Sequence, residues 1–338
     1  MLYWVSTMLV LLSAALLVIT TLLLLLRARP DNLQLRGKTV FISGCDTGFG
    51  FSLAVHCAEL GLKVVAGCFT DGEGRRQLGL LEGVTVVELD VTSPASVEDA
   101  VRTVDLVAGE EGLHCLVNNA ACLVFGEALW QTDRQARSQL EVNYLGPLAL
   151  TRACLPLLVR GRGRVVNMIS NCTECPLPTL GPYTASKVSH QVTLLSIFSL
   201  QAALLALSEV LRAELRKFEV KVVIVNPGDA PNDTPLTSGQ DVHYQHMEER
   251  LSPEEKLLHG DLFYKCQRYY SKLFPVPPLK KVVNDSYYRT METVLQSASP
   301  RPYYANSDWV TTILFAVISR LPRRLSDSAK LSMMKCYS

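Results

Sequence analysis

Net charge is nearly absent from this sequence: 33 Lys and Arg stand against 32 Asp and Glu, leaving +1. That balance excludes a reading built on global attraction to nucleic acid or another polyanion. Internal repeats and low-complexity tracts are also missing, which excludes solenoids and compositional tails. Ten cysteines are present, yet they form no ladder of the secreted disulfide type, and several sit inside apolar runs such as KVVAGCF and LHCLVNN. They read as reduced thiols at a cytosolic redox poise. Cys172 and Cys175 make one CxxC without a second pair or nearby histidines, so no metal site is assigned.

One long stretch lacks charge altogether. Leu2 to Leu26 holds 25 apolar or hydroxyl residues, more than the roughly 20 needed to cross a bilayer. The basic start and shorter apolar core of a cleaved signal peptide are missing, so residues 1–27 are expected to form an uncleaved transmembrane helix. Arg27, Arg29, Arg36 and Lys38 all follow it, which places the rest of the chain in the cytosol. Residues 28–37 read as a polar linker.

From Thr39 onward, short β-branched runs alternate with longer helical stretches. TVFISG, KVVAGCF, VTVVELDV, LHCLVNNA, GRVVNMIS and VKVVIVNPG read as strands with helices between them. Continuous apolar strands in that alternation predict an α/β doubly wound parallel sheet covered on both faces. Beyond Pro227 the chain turns polar and aromatic, and residues 237–338 read as a lid and membrane-proximal segment. Ser252-Pro253-Glu254-Glu255 there is a helix start. WVTTILFAVISRLPRRL, near the end, is too short to span a bilayer and suits an interfacial helix.

SGCDTGFG follows the first strand and opens the first helix, with Gly44, Gly48 and Gly50 spaced G-x3-G-x-G. Glycines in a strand–turn–helix setting let a backbone approach a pyrophosphate seated on the helix N-terminus. Further along, Tyr183 and Lys187 lie four residues apart on one helix face. A phenol titrates near 10, and an ammonium one turn away favours the phenolate; the pair therefore predicts a lowered Tyr183 pKa suited to proton transfer.

Taken in order, these motifs resemble the short-chain dehydrogenase/reductase family from about Lys38 to Leu236, with a Rossmann-type fold over 38–236. Ser43 stands where the family motif TG-x3-G-x-G has threonine. The resemblance implies cofactor contacts at Gly44, Asp46, Thr47, Gly48, Phe49 and Gly50 in the loop, and at Asp90 and Val91 of LDVT beside the adenine. It implies others at Asn118 and Ala120 of NNAA, where Ala121 replaces the family's glycine. Pro227, Gly228 and, six residues on, Thr234 would close over the nicotinamide. Tyr183 would be the acid/base, and Lys187 would also bind the ribose. Ser170, thirteen residues before Tyr183, would hydrogen-bond the substrate oxygen. Asn143 of EVNYLG would hold a water in the proton relay. A homodimer is implied only by the same analogy.

Asp46 in the loop and Asp71 after the second strand repel a 2′-phosphate, favouring NAD over NADP, although Cys68 occupies the strand end where an NAD-user's aspartate is expected. The loop, the anchor and the C-terminal LPRRL are similar to the branch holding retinol, 17β-hydroxysteroid and D-3-hydroxybutyrate dehydrogenases. A membrane anchor favours a lipophilic substrate, a steroid first or a retinoid, with the endoplasmic reticulum membrane as the location. A hydroxybutyrate enzyme would need cationic or amide groups for a carboxylate, for which His243 and His246 are candidates. A catalytically inactive binding relative is the other alternative.

Val188 to Gln201 interrupt the catalytic helix. Without them the text reads YTASKAALLALSEVLRAEL, an amphipathic helix with leucines at 204, 207, 211 and 215. As helix, fourteen residues would displace the downstream half by about 21 Å and turn its phase by about −40°. A lid or membrane-contact insert and a mark of a binding relative are two readings. The most economical is a retained in-frame intron, since Val-Ser and Gln can be encoded by splice-donor and splice-acceptor patterns.

Overall fold

Each apolar run becomes a strand because side chains on both of its faces find cover. A computed structural model describes residues 32–338 except 174, 188–202, 229–233, 274–275, 335 and 338. Of the first 31 residues it describes only Ser13, Leu16, Leu17 and Thr20, as helix. The transmembrane expectation thus falls mostly outside the described residues, and the Val188–Gln201 interruption wholly so.

Strands β1 (Thr39–Ser43), β2 (Lys63–Cys68), β3 (Val84–Glu88), β4 (Leu113–Asn118), β5 (Arg164–Met168), β6 (Lys221–Asn226) and β7 (Tyr303–Ala305) form one parallel sheet. The order is β3-β2-β1-β4-β5-β6-β7. Chain direction across the sheet reverses between β1 and β4, which opens a crevice at their carboxyl ends.

Alternate residues of each strand feed two cores. Val40, Ile42, Val64, Ala66 and Val223 pack with α1 (Gly48–Glu59) and, later in the chain, with Tyr287, Met291 and Val294. Phe41, Val65, Leu116, Val165 and Val222 face the other way. They meet helices α3 (Pro94–Ala108) and α5 (Gly146–Arg160), while α2 (Glu73–Gly79) follows β2. Helix α3 starts where Ser93 accepts a hydrogen bond from the Ser96 N–H with proline in its first turn. Helix α4 (Asp133–Leu140) opens with a reciprocal Thr132–Gln135 capping box and runs through a π-helical turn, Glu141–Leu145, into α5. Among the described residues this run, Asp133–Arg160, is the one helix long and apolar enough to cross a membrane, and its inner face packs on the sheet.

Helix α6 (Gly181–Lys187), which carries Tyr183 and Lys187, and α7 (Ala203–Glu214), with Leu204 and Leu211 buried, are described on either side of the interruption. Next come α8 (Gln240–Arg250) and α9 (Pro253–Leu273), the latter broken at Gly260, where φ is +51°. The capping box of α9 forms as read: the Glu255 N–H donates to Ser252 Oγ and the Ser252 N–H to Glu255 Oε2. Helix α10 (Asp285–Gln296) supplies the Tyr287–Val294 face named above, so the sheet layers extend well past residue 236. Buried Arg164 donates to the Val294 and Ser297 carbonyls, and His114 Nε2 donates to the Leu295 carbonyl at 2.9 Å. These donors satisfy carbonyls that the end of a helix leaves unpaired. Two short helices, α11 (Trp309–Arg320) and α12 (Arg323–Met333), complete the chain.

Candidate active site

The glycine loop is close-packed against the neighbouring strand ends. Gly44 and Gly48 have φ of +71° and +59°, which only glycine adopts readily. A Cβ on Gly50 would lie 2.2 Å from the Gly44 carbonyl oxygen and 2.4 Å from Asn119 Nδ2. One on Gly48 would meet the Thr234 side chain at 3.0 Å. Ser43 shows why a hydroxyl stands at the head of the motif: its Oγ accepts from the Asn119 and Ala120 N–H groups, each at 3.1 Å. Asn119 Nδ2 donates to the Ser43 and Gly44 carbonyls. Sequence reading picked Asn118 and passed over Asn119, yet Asn119 holds the loop and lines the cavity described below. Asn118 is buried between strands, donating to Asn167 Oδ1 and Thr151 Oγ1.

Asp46 accepts from the Phe69 and Thr70 N–H groups and from Thr70 Oγ1, so its carboxylate is fixed beside the exit of β2. Asp90 accepts from the Thr92 N–H and hydroxyl, shaping the turn after β3. Val91 is buried there, so close to Gly146 that a Cβ on that glycine would meet it at 2.7 Å. Thr47 sits at the N-cap of α1 without a side-chain capping bond, and Phe49 packs against Tyr287, ring centroids 4.8 Å apart.

Serine, tyrosine and lysine come together as their spacing predicts. Ser170, Tyr183 and Lys187 line one cavity of about 370 Å³ with Phe49, Asn119, Pro227, Gly228 and Thr234. Ser170 hydrogen-bonds the Tyr183 phenol, which pulls its pKa down, but burial is the larger influence and pushes it up. Among the protein's own groups burial thus outweighs the Ser170 bond; the lowering expected for Tyr183 counts an oxidised nicotinamide beside the pair as well as Lys187. The lysine ammonium donates instead to the Met168 carbonyl at 3.0 Å, and burial brings its own pKa down to about 8. Burial therefore raises the phenol's pKa and lowers the ammonium's.

Asn143 is fully buried in the π-helical turn. Its Oδ1 accepts from the Cys122 N–H, and its Nδ2 donates to the Cys122 carbonyl and Ser186 Oγ, each at 2.9 Å. The side chain is spent on joining the loop after β4 to helix α6. Four residues on stands Pro147, which has no N–H, so the ordinary helical partner of the Asn143 carbonyl does not exist. Such turns interrupt helices at functional sites.

The remaining cavity wall is apolar: Leu123, Phe125, Leu177, Leu180, Leu236, Tyr269, Tyr270 and Met334 are among its residues. Phe125 stacks on Tyr270 at 4.3 Å. Cys172 lines the cavity, while Cys175 packs against Phe315 and Ile318 of α11. His243 and His246 are not among the lining residues.

A parallel sheet with a glycine cradle at its crossover and a serine, tyrosine and lysine on one cavity fits a nicotinamide dinucleotide: the cradle leaves the backbone open where a Cβ would close it. It defines a nucleotide-dependent oxidoreductase of alcohols and ketones. The "short chain dehydrogenase" family model matches residues 38–241, and the chain belongs to that family. Retinol dehydrogenase 5 of Mus musculus is 34% identical over 298 residues, 86% of each chain. Mitochondrial D-beta-hydroxybutyrate dehydrogenase of Rattus norvegicus is 31% identical, covering 86% of this chain and 83% of its own. A short chain dehydrogenase/reductase of Burkholderia phymatum, solved with NAD, superposes with a TM-score of 0.63 at 22% identity, over 86% of this chain and 95% of that one. Another from Burkholderia cenocepacia J2315, solved with NADP, gives 0.59 at 23%, over 87% and 97%.

Proposed function

We propose that this chain passes hydride between NAD(H) and a secondary or retinol-type alcohol of a lipophilic molecule, a steroid first, at a membrane surface. The cavity carries this reading. Its wall is apolar, and Lys187, already bonded to Met168, is its one charged residue among those described. A short hydroxy acid would bury a carboxylate there without a cationic partner, at a cost of several kcal/mol. His243 and His246, the candidates for that role, lie outside the lining.

The nicotinamide, when bound, supplies or takes the hydride. On the protein side, Ser170 Oγ holds the substrate oxygen and Tyr183 Oη moves the proton to or from it. Lys187 keeps positive charge beside that phenol while binding ribose hydroxyls. The Asn143 carbonyl, without an i+4 donor at Pro147, accepts a hydrogen bond from a water that links Lys187 to solvent. NAD is favoured because the fixed Asp46 carboxylate disfavours a phosphate near the β2 exit. Arg75, in the helix after β2, already faces Asp71 and Glu88 at 4.0 and 3.8 Å.

Membrane contact is supported by α11. Trp309, Ile313 and Val317 project from one face, 74%, 55% and 52% exposed, and Arg320, Arg323 and Arg324 follow. That composition suits the headgroup boundary. With the apolar N-terminal stretch and its trailing arginines, it supports an endoplasmic reticulum location facing the cytosol.

The test is NADH fluorescence with the full chain in lipid nanodiscs, offered a hydroxysteroid, retinol and D-3-hydroxybutyrate with NAD or NADP. Turnover of the first two with NAD is expected, together with loss of about 10²–10⁴-fold in Tyr183→Phe. Faster turnover of hydroxybutyrate, or NAD binding with no turnover of any alcohol, would overturn the reading.

A further inference from the structure

Beyond the family match, at residues 303–308, a segment reaches back to the catalytic serine. Ser307 Oγ donates to Asn171 Oδ1, and Asn171 immediately follows Ser170. The same Asn171 oxygen accepts from Asn226 Nδ2 at 2.7 Å, and the second Asn226 N–H reaches Ser307 Oγ at 3.4 Å. Asn226 Oδ1 in turn accepts from the Gly228 N–H at 3.2 Å. Three side chains thus close a ring between the turn that carries Ser170 and the Pro227-Gly228 turn, which follow the adjacent strands β5 and β6. The two asparagines are under cover, Asn226 fully buried and Asn171 only 4% exposed, while Ser307 is half-buried.

Backbone contacts fix the same two segments in register. The Asn306 N–H donates to the Asn226 carbonyl at 3.0 Å. The Asn306 carbonyl lies so near Gly228 that a Cβ there would stand 2.8 Å from it. Asn306 Oδ1 is held from the opposite side by Thr290 and Ser286 of α10, at 2.7 and 3.3 Å. The arm is therefore braced on one flank by α10 and presents Ser307 on the other.

We infer that Ser307 is a positioning residue for the active site, setting the Ser170 and Gly228 turns through Asn171 and Asn226. The alternative is a strand-end contact that serves only to fasten β7. The two differ in where a loss is felt. Fastening would be weakened equally by cutting the Ser286 flank, whereas positioning would be lost only at Ser307. A serine without this bond can shift relative to Tyr183, and misplacement of a reacting group by about 1 Å costs on the order of a hundredfold.

The inference rests on the dehydrogenase reading of the cavity, so its experiment has one arm that needs no turnover. The full chain in nanodiscs is compared with Ser307→Ala, Ser307→Thr and Ser286→Ala by hydrogen exchange, thermal melting and steady-state kinetics with NAD and whichever alcohol the wild type oxidises. Ser307→Ala is expected to speed amide exchange at 170–172 and 228 while β1 to β3 stay protected. Its kcat should fall roughly ten- to a hundredfold with KM for NAD little changed. Ser307→Thr, which keeps the hydroxyl, should recover both, and Ser286→Ala should leave both alone. Unchanged exchange at 170–172 in Ser307→Ala would overturn the inference. So would losses in Ser307→Ala and Ser286→Ala that scale together with melting temperature. If no alcohol is oxidised, the dehydrogenase reading fails by itself and the exchange arm alone decides whether Ser307 sets the two turns.

Discussion

The two ends of the cavity are built in different ways. At the glycine loop, shape comes from backbone: positive φ angles at Gly44 and Gly48, a Cβ-free approach at Gly50, and Ser43 tying two strand ends together. At the substrate end, shape comes from side chains far apart in sequence, with Phe125, Tyr270 and Met334 converging from a loop, from α9 and from the C-terminus. The first kind of construction leaves little freedom of residue type. The second can be rewritten residue by residue.

Substitutions can strain this contrast, and the largest effect on stability is expected outside the cavity, where α10 meets the sheet. His114 helps fasten α10 to the sheet, and burial lowers its pKa from about 6.5 to about 4. The folded state therefore binds fewer protons than the unfolded state between those values. Stability is full above pH 6.5 and falls as pH drops towards 4, by roughly 2–3 kcal/mol. Urea unfolding at pH 7 and pH 4.5 should show that loss, and His114→Asn should flatten it. Gly50→Ala should come next. Its new methyl must displace the Gly44 carbonyl, costing about 1–3 kcal/mol of stability and at least tenfold in NADH affinity by fluorescence titration. Phe125→Leu should do the reverse, shifting alcohol KM severalfold with NADH affinity intact, while losing about 1 kcal/mol of stacking on Tyr270. If both variants altered both affinities alike, the contrast would fail. Smallest of all, Arg160→Ala removes an exposed bridge to Asp105 and should cost under about 1 kcal/mol in the same unfolding assay.

The same division decided what could be read from the sequence. Strands β1 to β6 announce themselves because parallel strands are covered on both faces and so are apolar throughout. Tyr183 and Lys187 were legible because helix geometry puts them on one face, and Ser170 only through the family resemblance. The protonation of Tyr183 was not: desolvation and the turn of Lys187 towards Met168 depend on depth, which spacing does not encode. Asn118 and Asn119 are adjacent and alike in type, and only the pleat decides which faces the loop. β7 is three residues long, and nothing in Tyr303–Ala305 marks it as the seventh strand. Ser307 was invisible for the same reason, since its partners are 81 and 136 residues away.

That last strand has a consequence for how the gene can be cut. A product ending after Thr234 would keep every motif of the family and would still pass inspection as a complete catalytic unit. It would lack β7 and α10, leaving β6 as a bare apolar edge with open hydrogen-bonding groups and one face of the sheet covered by α1 without α10. Such an edge recruits other chains. Any splice form or expression clone that stops there should accumulate as aggregate, not as a smaller enzyme.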